Sequence, residues 1–291
     1  MRPLHPLFVA EVEGVDLRSV VEPKALDEFR ALMDSHAVLV VRGQTFDDSE
    51  QVAFARRFDG DDIHLKSGRA VIDQTSRLGD VALTDISNLD ETGAIMGLDD
   101  RRRMYALANR LWHTDVSFQI PAGRYSMLSC KSVATSGGET EYADMRAAYD
   151  SLPEKQKDEI ANLRAFHSIV YSRETIGFDQ FSERERGELP GAEQPLVRTI
   201  PRSGRKALYL ASHASHIVGW PLPEGRLLLR GLTELATQQE FVYRHTWRVG
   251  DLVIWDNRCT MHRGLPFDEA NERRDLRRVT TLDVDRVAAT V

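Results

Sequence analysis

Apolar positions along the chain recur in two rhythms. From Glu22 to Ser35 they fall three or four residues apart, with Leu26, Phe29, Leu32 and Met33 on one face, which predicts a helix. Val52, Phe54, Ala55 and Phe58 repeat that spacing in a second helix, with Asp47 or Asp48 available as its cap. Between these helices Ala37 to Val41 is a short continuous apolar run, the signature of a buried strand. Glycines and charges then break the pattern from about Gly60 to Arg103, so this stretch is expected to be a loop or lid with one strand at Val81 to Asn88. Strands follow at Tyr125 to Val133 and Thr140 to Asp144, around a Ser136-Gly137-Gly138 turn, and a helix is expected from Arg146 to Leu163.

The second half is richer in strands. Leu196 to Ile200 and Ala207 to Ala211 flank the turn Arg202 to Arg205, and a helix spans Glu224 to Gln239. Tyr243 to Val249 and Leu252 to Trp255, divided by Gly250-Asp251, read as a hairpin, and a last strand runs from Leu276 to Val284. Many short strands with helices kept outside them predict a mostly β fold, a double-sheet jelly roll flanked by α-helices. No Pro/Gly/Ser-rich linker or repeat interrupts the chain, so residues 1–291 are expected to form a single domain. Neither GxGxxG nor GxxxxGK[ST] occurs, which argues against a nucleotide-cradling loop.

Composition narrows the picture. With 38 basic and 45 acidic side chains the net charge is −7, the wrong sign for displacing counterions from a nucleic acid. No apolar run approaches the roughly 30 Å of a bilayer core, and the N-terminal residues reach Glu11 before any long apolar stretch. A cytoplasmic protein without nucleic-acid or membrane partners is therefore expected. Two cysteines, Cys130 and Cys259, stand far apart and supply neither a disulfide framework nor a zinc finger.

Two places carry chemistry. In Leu111-Trp112-His113-Thr114-Asp115-Val116 a histidine and an aspartate stand two apart; on a strand they share one face. One distant histidine would complete a two-histidine, one-carboxylate triad for Fe(II) with positions left open for reactants. Taken alone, such a pair is more often just hydrogen-bonded. Of nine histidines, His262 follows the buried strand ending in Trp255 and precedes Gly264; His213 and His216 are its main rivals. The second place is Arg273-Arg274-Asp275-Leu276-Arg277-Arg278, where strand alternation puts Arg274, Leu276, Arg278 and Thr280 on one face. Two guanidiniums entering one pocket beside a metal imply two small anionic molecules.

His113-Thr114-Asp115, Ser136 to Thr140, Trp255 to Arg258, His262 and Arg273 to Arg278, in this order and spacing, resemble the taurine/2,4-dichlorophenoxyacetate dioxygenase family of Fe(II)- and 2-oxoglutarate-dependent enzymes. The resemblance to its phenoxyacetate branch extends over most of the chain, through phrases such as Arg124 to Ser129, Asp144 to Asp150 and Phe241 to His245; the segment from Gly60 to Asp80 departs from it. It implies a double-stranded β-helix, a form of jelly roll. It makes His113, Asp115 and His262 the iron ligands and gives the distal carboxylate of 2-oxoglutarate to Thr140 and Arg274. Arg273 is the alternative to Arg274, with strand alternation favouring Arg274.

By the same resemblance Trp255 packs beside the co-substrate or simply fills the core, and Arg278 binds the substrate's carboxylate. His213, His216 and Asn109 are substrate-pocket candidates, with a structural role open for both histidines. The implied reaction consumes O₂ and 2-oxoglutarate, with ascorbate stimulatory, and releases succinate and CO₂. It hydroxylates the carbon beside an aryloxyalkanoate ether, giving a phenol and glyoxylate. The same chemistry on a sulfonate or alkyl sulfate is the rival. A non-catalytic cupin-like anion binder and a zinc hydrolase are the readings from other classes. A homodimer is implied by the family alone.

Overall fold

The computed structural model describes residues 1–63 and 77–284. The chain opens with strands β1 (Arg2–His5) and β2 (Val9–Val12), helix α1 (Pro23–His36), β3 (Val38–Val41) and α2 (Asp48–Asp59). Then come β4 (Thr84–Ser87), α3 (Arg101–Ala106), β5 (Gly123–Ser132), β6 (Thr140–Asp144), α4 (Met145–Asp150) and α5 (Glu154–Ile160). A smaller group follows, of β7 (Arg164–His167), α6 (Ile169–Glu174), α7 (Glu183–Glu188), β8 (Ala192–Pro195), β9 (Val197–Thr199), β10 (Lys206–Leu208) and β11 (Ala214–Ile217). The last stretch holds α8 (Leu222–Ala236), β12 (Val242–His245), β13 (Leu252–Asp256), β14 (Thr260–Gly264) and β15 (Asp275–Leu282).

Two sheets build the jelly roll. The larger has the order β1-β2-β3-β13-β5-β15-β4, and the smaller has β12-β6-β14. Their facing sides enclose a core in which Tyr142 and Trp247 from the smaller side meet Val38, Val40, Leu128, Val253, Trp255 and Leu276 of the larger sheet. The opposite face of the large sheet is covered by α1 and α2 through Leu26, Phe29, Met33, Phe54 and Phe58. Thus β3 and β13, sandwiched on both faces, are apolar at nearly every position, and β6 is buried along its length.

The helix entry at α2 follows its sequence signal. Asp47 Oδ1 accepts from the Glu50 amide at 2.8 Å and Glu50 Oε2 accepts from the Asp47 amide at 2.9 Å, a reciprocal capping box. The single helix expected from Arg146 to Leu163 is instead split into α4 and α5. Pro153 lacks the amide proton a continuing turn requires and disfavours a helical conformation at Leu152.

The hairpin expected across Gly250-Asp251 does not form. β12 pairs with β6 in one sheet and β13 pairs with β3 and β5 in the other, so this turn carries the chain between sheets. A strand as apolar as β13 demands two neighbours, and the large sheet supplies both. The described part of the stretch expected as loop is tied into the sheet by strand pairing and by ion pairs. β4 pairs with β15, and Arg77 bridges Asp85 and Asp275 at 3.0 and 2.9 Å. Residues 64–76 of the expected lid lie outside the described residues. Among the described residues no helix is long and apolar enough to cross a membrane.

Candidate active site

His113 and His262 are joined through their backbones. The His113 amide donates to the His262 carbonyl at 3.0 Å and the His262 amide returns a bond of 2.8 Å, which brings the imidazole centroids to 4.2 Å. His262 lies on β14, whereas the His113 motif is an isolated bridge followed by a turn, with Val116 at φ 60°. The strand expected there is absent because Thr114 turns inward, its hydroxyl donating to the carbonyls of Leu210 and Thr260 at 2.9 and 3.0 Å. Asp115 nevertheless meets both histidines. Its oxygens stand 3.9 Å from His113 Nε2 and 3.8 Å from His262 Nε2.

This group suits a divalent metal ion. Donor atoms of His113, Asp115 and His262 lie within 4.8 Å of one another, and all three residues are buried. The separations from carboxylate to imidazole are too long for hydrogen bonds, and neither Nε2 has another partner among the described residues. His113 Nδ1 sits 2.8 Å from the Leu111 carbonyl, which favours the tautomer protonated there and leaves the Nε2 lone pair for coordination. Burial pushes the His113 imidazole down to about 4, and holds His262 well below its ordinary value, so both are neutral near pH 7. For Asp115 burial opposes ionisation, but Arg278 and the two imidazoles outweigh it and hold the carboxyl at about 2. Two neutral nitrogen donors and one carboxylate form the donor set of a facial Fe(II) site.

The carboxylate is held from behind by residues that the sequence left without a role. Ser126 Oγ donates to Asp115 Oδ2 at 2.7 Å, and Asn257 Nδ2 donates to Ser126 Oγ at 2.9 Å. Asn257 Oδ1 accepts from the Asp115 amide at 3.1 Å and the Trp255 indole at 3.0 Å. A polar residue within the apolar strand β5, at Ser126, and another directly after the apolar strand β13, at Asn257, were the signal that could have found them. Arg278 pairs with the other oxygen of Asp115.

A cavity of about 130 Å³ opens from the histidines. His113, His262, Trp255, Thr140, Arg274, Arg278 and Asn109 all line it, along with Leu128, Phe267 and Glu269. Arg274 stands just ahead of β15 with Nε donating to the Gly138 carbonyl at 3.1 Å, while Arg273 is exposed. Arg274 has no carboxylate partner among the described residues, and burial lowers its guanidinium to about 10. Thr140 Oγ1 accepts from the Trp247 indole at 3.0 Å, which leaves its own proton free to donate. Trp255 is fully buried in the core, and its ring lies 4.7 Å from that of His262.

The remaining two histidines part company. His213 is buried beside the metal group, its ring 6.0 Å from His113 and its Nδ1 2.9 Å from Ser117 Oγ, yet it is not part of the cavity wall. His216 stacks on Phe166 with Nδ1 2.8 Å from Ser215 Oγ, and it too is outside the wall. Its β11 strand is tied to β7, which seats that side chain on Phe166.

Residues 1–280 match the model of the taurine catabolism dioxygenase TauD, TfdA family. The chain is 50% identical to the alpha-ketoglutarate-dependent 2,4-dichlorophenoxyacetate dioxygenase of Cupriavidus pinatubonensis, over 97% of this chain and 96% of that protein. It is 31% identical to the alpha-ketoglutarate-dependent sulfate ester dioxygenase of Pseudomonas putida, over 95% and 88% of the two chains. Among solved structures it resembles AAD-2 in complex with Mn(II) and N-oxalylglycine, with a TM-score of 0.87, 43% identity and 98% of each chain covered.

Proposed function

Because this chain belongs to the taurine catabolism dioxygenase TauD, TfdA family, we propose that it hydroxylates the carbon beside the ether oxygen of an aryloxyalkanoate such as 2,4-dichlorophenoxyacetate. It is an oxidoreductase, a 2-oxoglutarate-dependent dioxygenase with a metal cofactor. When bound, Fe(II) supplies the oxidising chemistry, with O₂ and 2-oxoglutarate consumed and succinate and CO₂ released.

The chain's own residues divide the remaining tasks. His113, Asp115 and His262 hold the metal, and the Ser126–Asn257 network fixes the angle of the carboxylate. Arg274 and Thr140 clamp the distal carboxylate of 2-oxoglutarate by a charge-assisted pair and a hydroxyl donor. Trp255 and Leu128 keep water from that pocket, and Arg278 meets the substrate's carboxylate. Asn109 lines the substrate side, and His213 and His216 shape its surroundings. The hydroxylated carbon then bears both OH and OAr, and collapse of this hemiacetal gives a phenol and glyoxylate.

The observation that carries the reading is one cavity bordered by two histidines and by two guanidinium groups, Arg274 and Arg278, beside the metal group. Residues from Asn109 to Arg278 contribute to it, which supports one catalytic domain across residues 1–291. The net charge of −7 supports a small-molecule partner and no nucleic acid. The family supports a homodimer, and we place the enzyme in the cytoplasm, away from membranes.

Incubation with 2,4-dichlorophenoxyacetate, Fe(II), ascorbate and 2-oxoglutarate is expected to yield dichlorophenol and succinate in equal amounts. Succinate formed with taurine or an alkyl sulfate, and no phenol, would replace this substrate by the sulfonate or sulfate class. Asp115→Ala is expected to abolish both metal binding and turnover; retained turnover overturns the ligand assignment.

A further inference from the structure

Three arginines are buried among the described residues: Arg146, Arg173 and Arg258. Arg146 is neutralised by Asp144 at 2.9 Å and Arg258 by Asp256 at 2.7 Å. Arg173, only 4% exposed on α6, has no carboxylate within ion-pair distance among the described residues. Its guanidinium carries five N–H groups. One terminal nitrogen donates to Asn109 Oδ1 at 3.2 Å, the other makes a long contact of 3.4 Å to Ser172 Oγ, and Nε is buried without a partner. The cation lies over the Tyr105 ring at 4.4 Å, which offsets part of the desolvation but supplies no counter-charge.

An uncompensated buried charge is strongly disfavoured, so a fold that retains one implies an anion delivered from outside. The surroundings locate that anion on the substrate side. Arg173 stands one layer behind the cavity wall, and Asn109, to which it donates, lines the same cavity as His113 and Arg278. His213 Nε2 is also buried without a partner among the described residues, with its ring 6.0 Å from that of His113. Arg278 already answers to Asp115, whereas Arg173 has no carboxylate partner among the described residues and keeps its Nε unpartnered.

Resting on the substrate reading above, we propose that Arg173 is a second cation of the substrate site, sharing the substrate's carboxylate with Arg278 and selecting anions over neutral analogues of the same shape. Asn109 aims the guanidinium, which explains why an amide side chain stands at that point of the wall.

The test is calorimetric binding of 2,4-dichlorophenoxyacetate, and of its neutral primary amide, to protein loaded with Mn(II) and 2-oxoglutarate, which removes turnover from the measurement. Arg173→Gln is expected to weaken the acid by roughly 10–100-fold, the range for losing hydrogen bonds to a charged group. The amide should be bound as before, and 2-oxoglutarate within a factor of two of wild type. Arg173→Lys, which keeps the charge without the planar fork, should recover part of the loss; it also serves if the glutamine variant does not fold. Acid binding unchanged in the variants, or acid and amide weakened in parallel, overturns the assignment. If the wild type ignores the phenoxyacetate but binds hexyl sulfate, the substrate reading falls and hexyl sulfate against hexanol decides Arg173 by the same criterion. A wild type that binds neither anion overturns both.

Discussion

Asp115 shows how a single side chain is oriented as a candidate metal ligand. One oxygen is fixed by Ser126 and the other faces Arg278, while its backbone amide is bound by Asn257. Removing the support without touching the ligand tests this arrangement. Ser126→Ala and Asn257→Ala are each expected to weaken Mn(II) binding by about 10–100-fold, measured by calorimetry, with the secondary-structure spectrum unchanged. Wild-type affinity in both variants would show that the carboxylate is oriented by its own turn. At this scale the sequence was informative about residue types: His113, Asp115, His262, Thr140, Arg274 and Arg278 were singled out and all line or border one cavity. It was silent on Ser126, Asn257 and Arg173, because a serine in a strand, an asparagine in a turn and an arginine in a helix acquire a role only through neighbours far along the chain.

The turn before β6 controls Arg274 from across the sheet. Gly138 has φ +73°, and a Cβ there would stand 3.2 Å from Arg274 Cδ and Nε. Gly138→Ala therefore combines a left-handed backbone penalty of about 1–2 kcal/mol with displacement of the guanidinium proposed to hold the co-substrate. A several-fold rise in KM for 2-oxoglutarate is expected. Gly177→Ala is the control: its φ is +85° with nothing within 4 Å, so it should lower thermal stability and leave KM alone. Equal KM values in the two variants would detach the turn from the site. Local pattern placed α1, α2, β3 and β6 close to where they form. It failed at Pro153, where a breaker outweighed apolar spacing, and at Gly250-Asp251, where a turn signal cannot tell which sheet each flanking strand will join.

Burial of neutral histidines makes the whole molecule acid-sensitive. His167 is fully buried, its Nδ1 2.9 Å from Ser117 Oγ, and burial, with Arg198 adding to it, lowers its imidazole to about 3. Between pH 6.5 and 3 the unfolded chain carries this proton and the folded chain does not. Stability therefore rises with pH across that window, by about 1.4 kcal/mol per unit for one such group. Urea unfolding at stepped pH should show this, and His167→Asn should reduce the slope by about that amount; an unaltered slope would mean that His167 takes its proton in the folded state. The sequence by itself determined the β-rich class and the two outer helices and singled out the candidate metal- and anion-binding residues, because periodicity, capping and short motifs are local properties. Tertiary structure alone decided that β12 and β13 join different sheets and that the His113 motif is a turn clamped to β14. It also decided that Arg173 is buried without a counter-ion. Strand partnering, burial and charge compensation depend on which distant segments meet, and that is settled only when the two sheets close over one core.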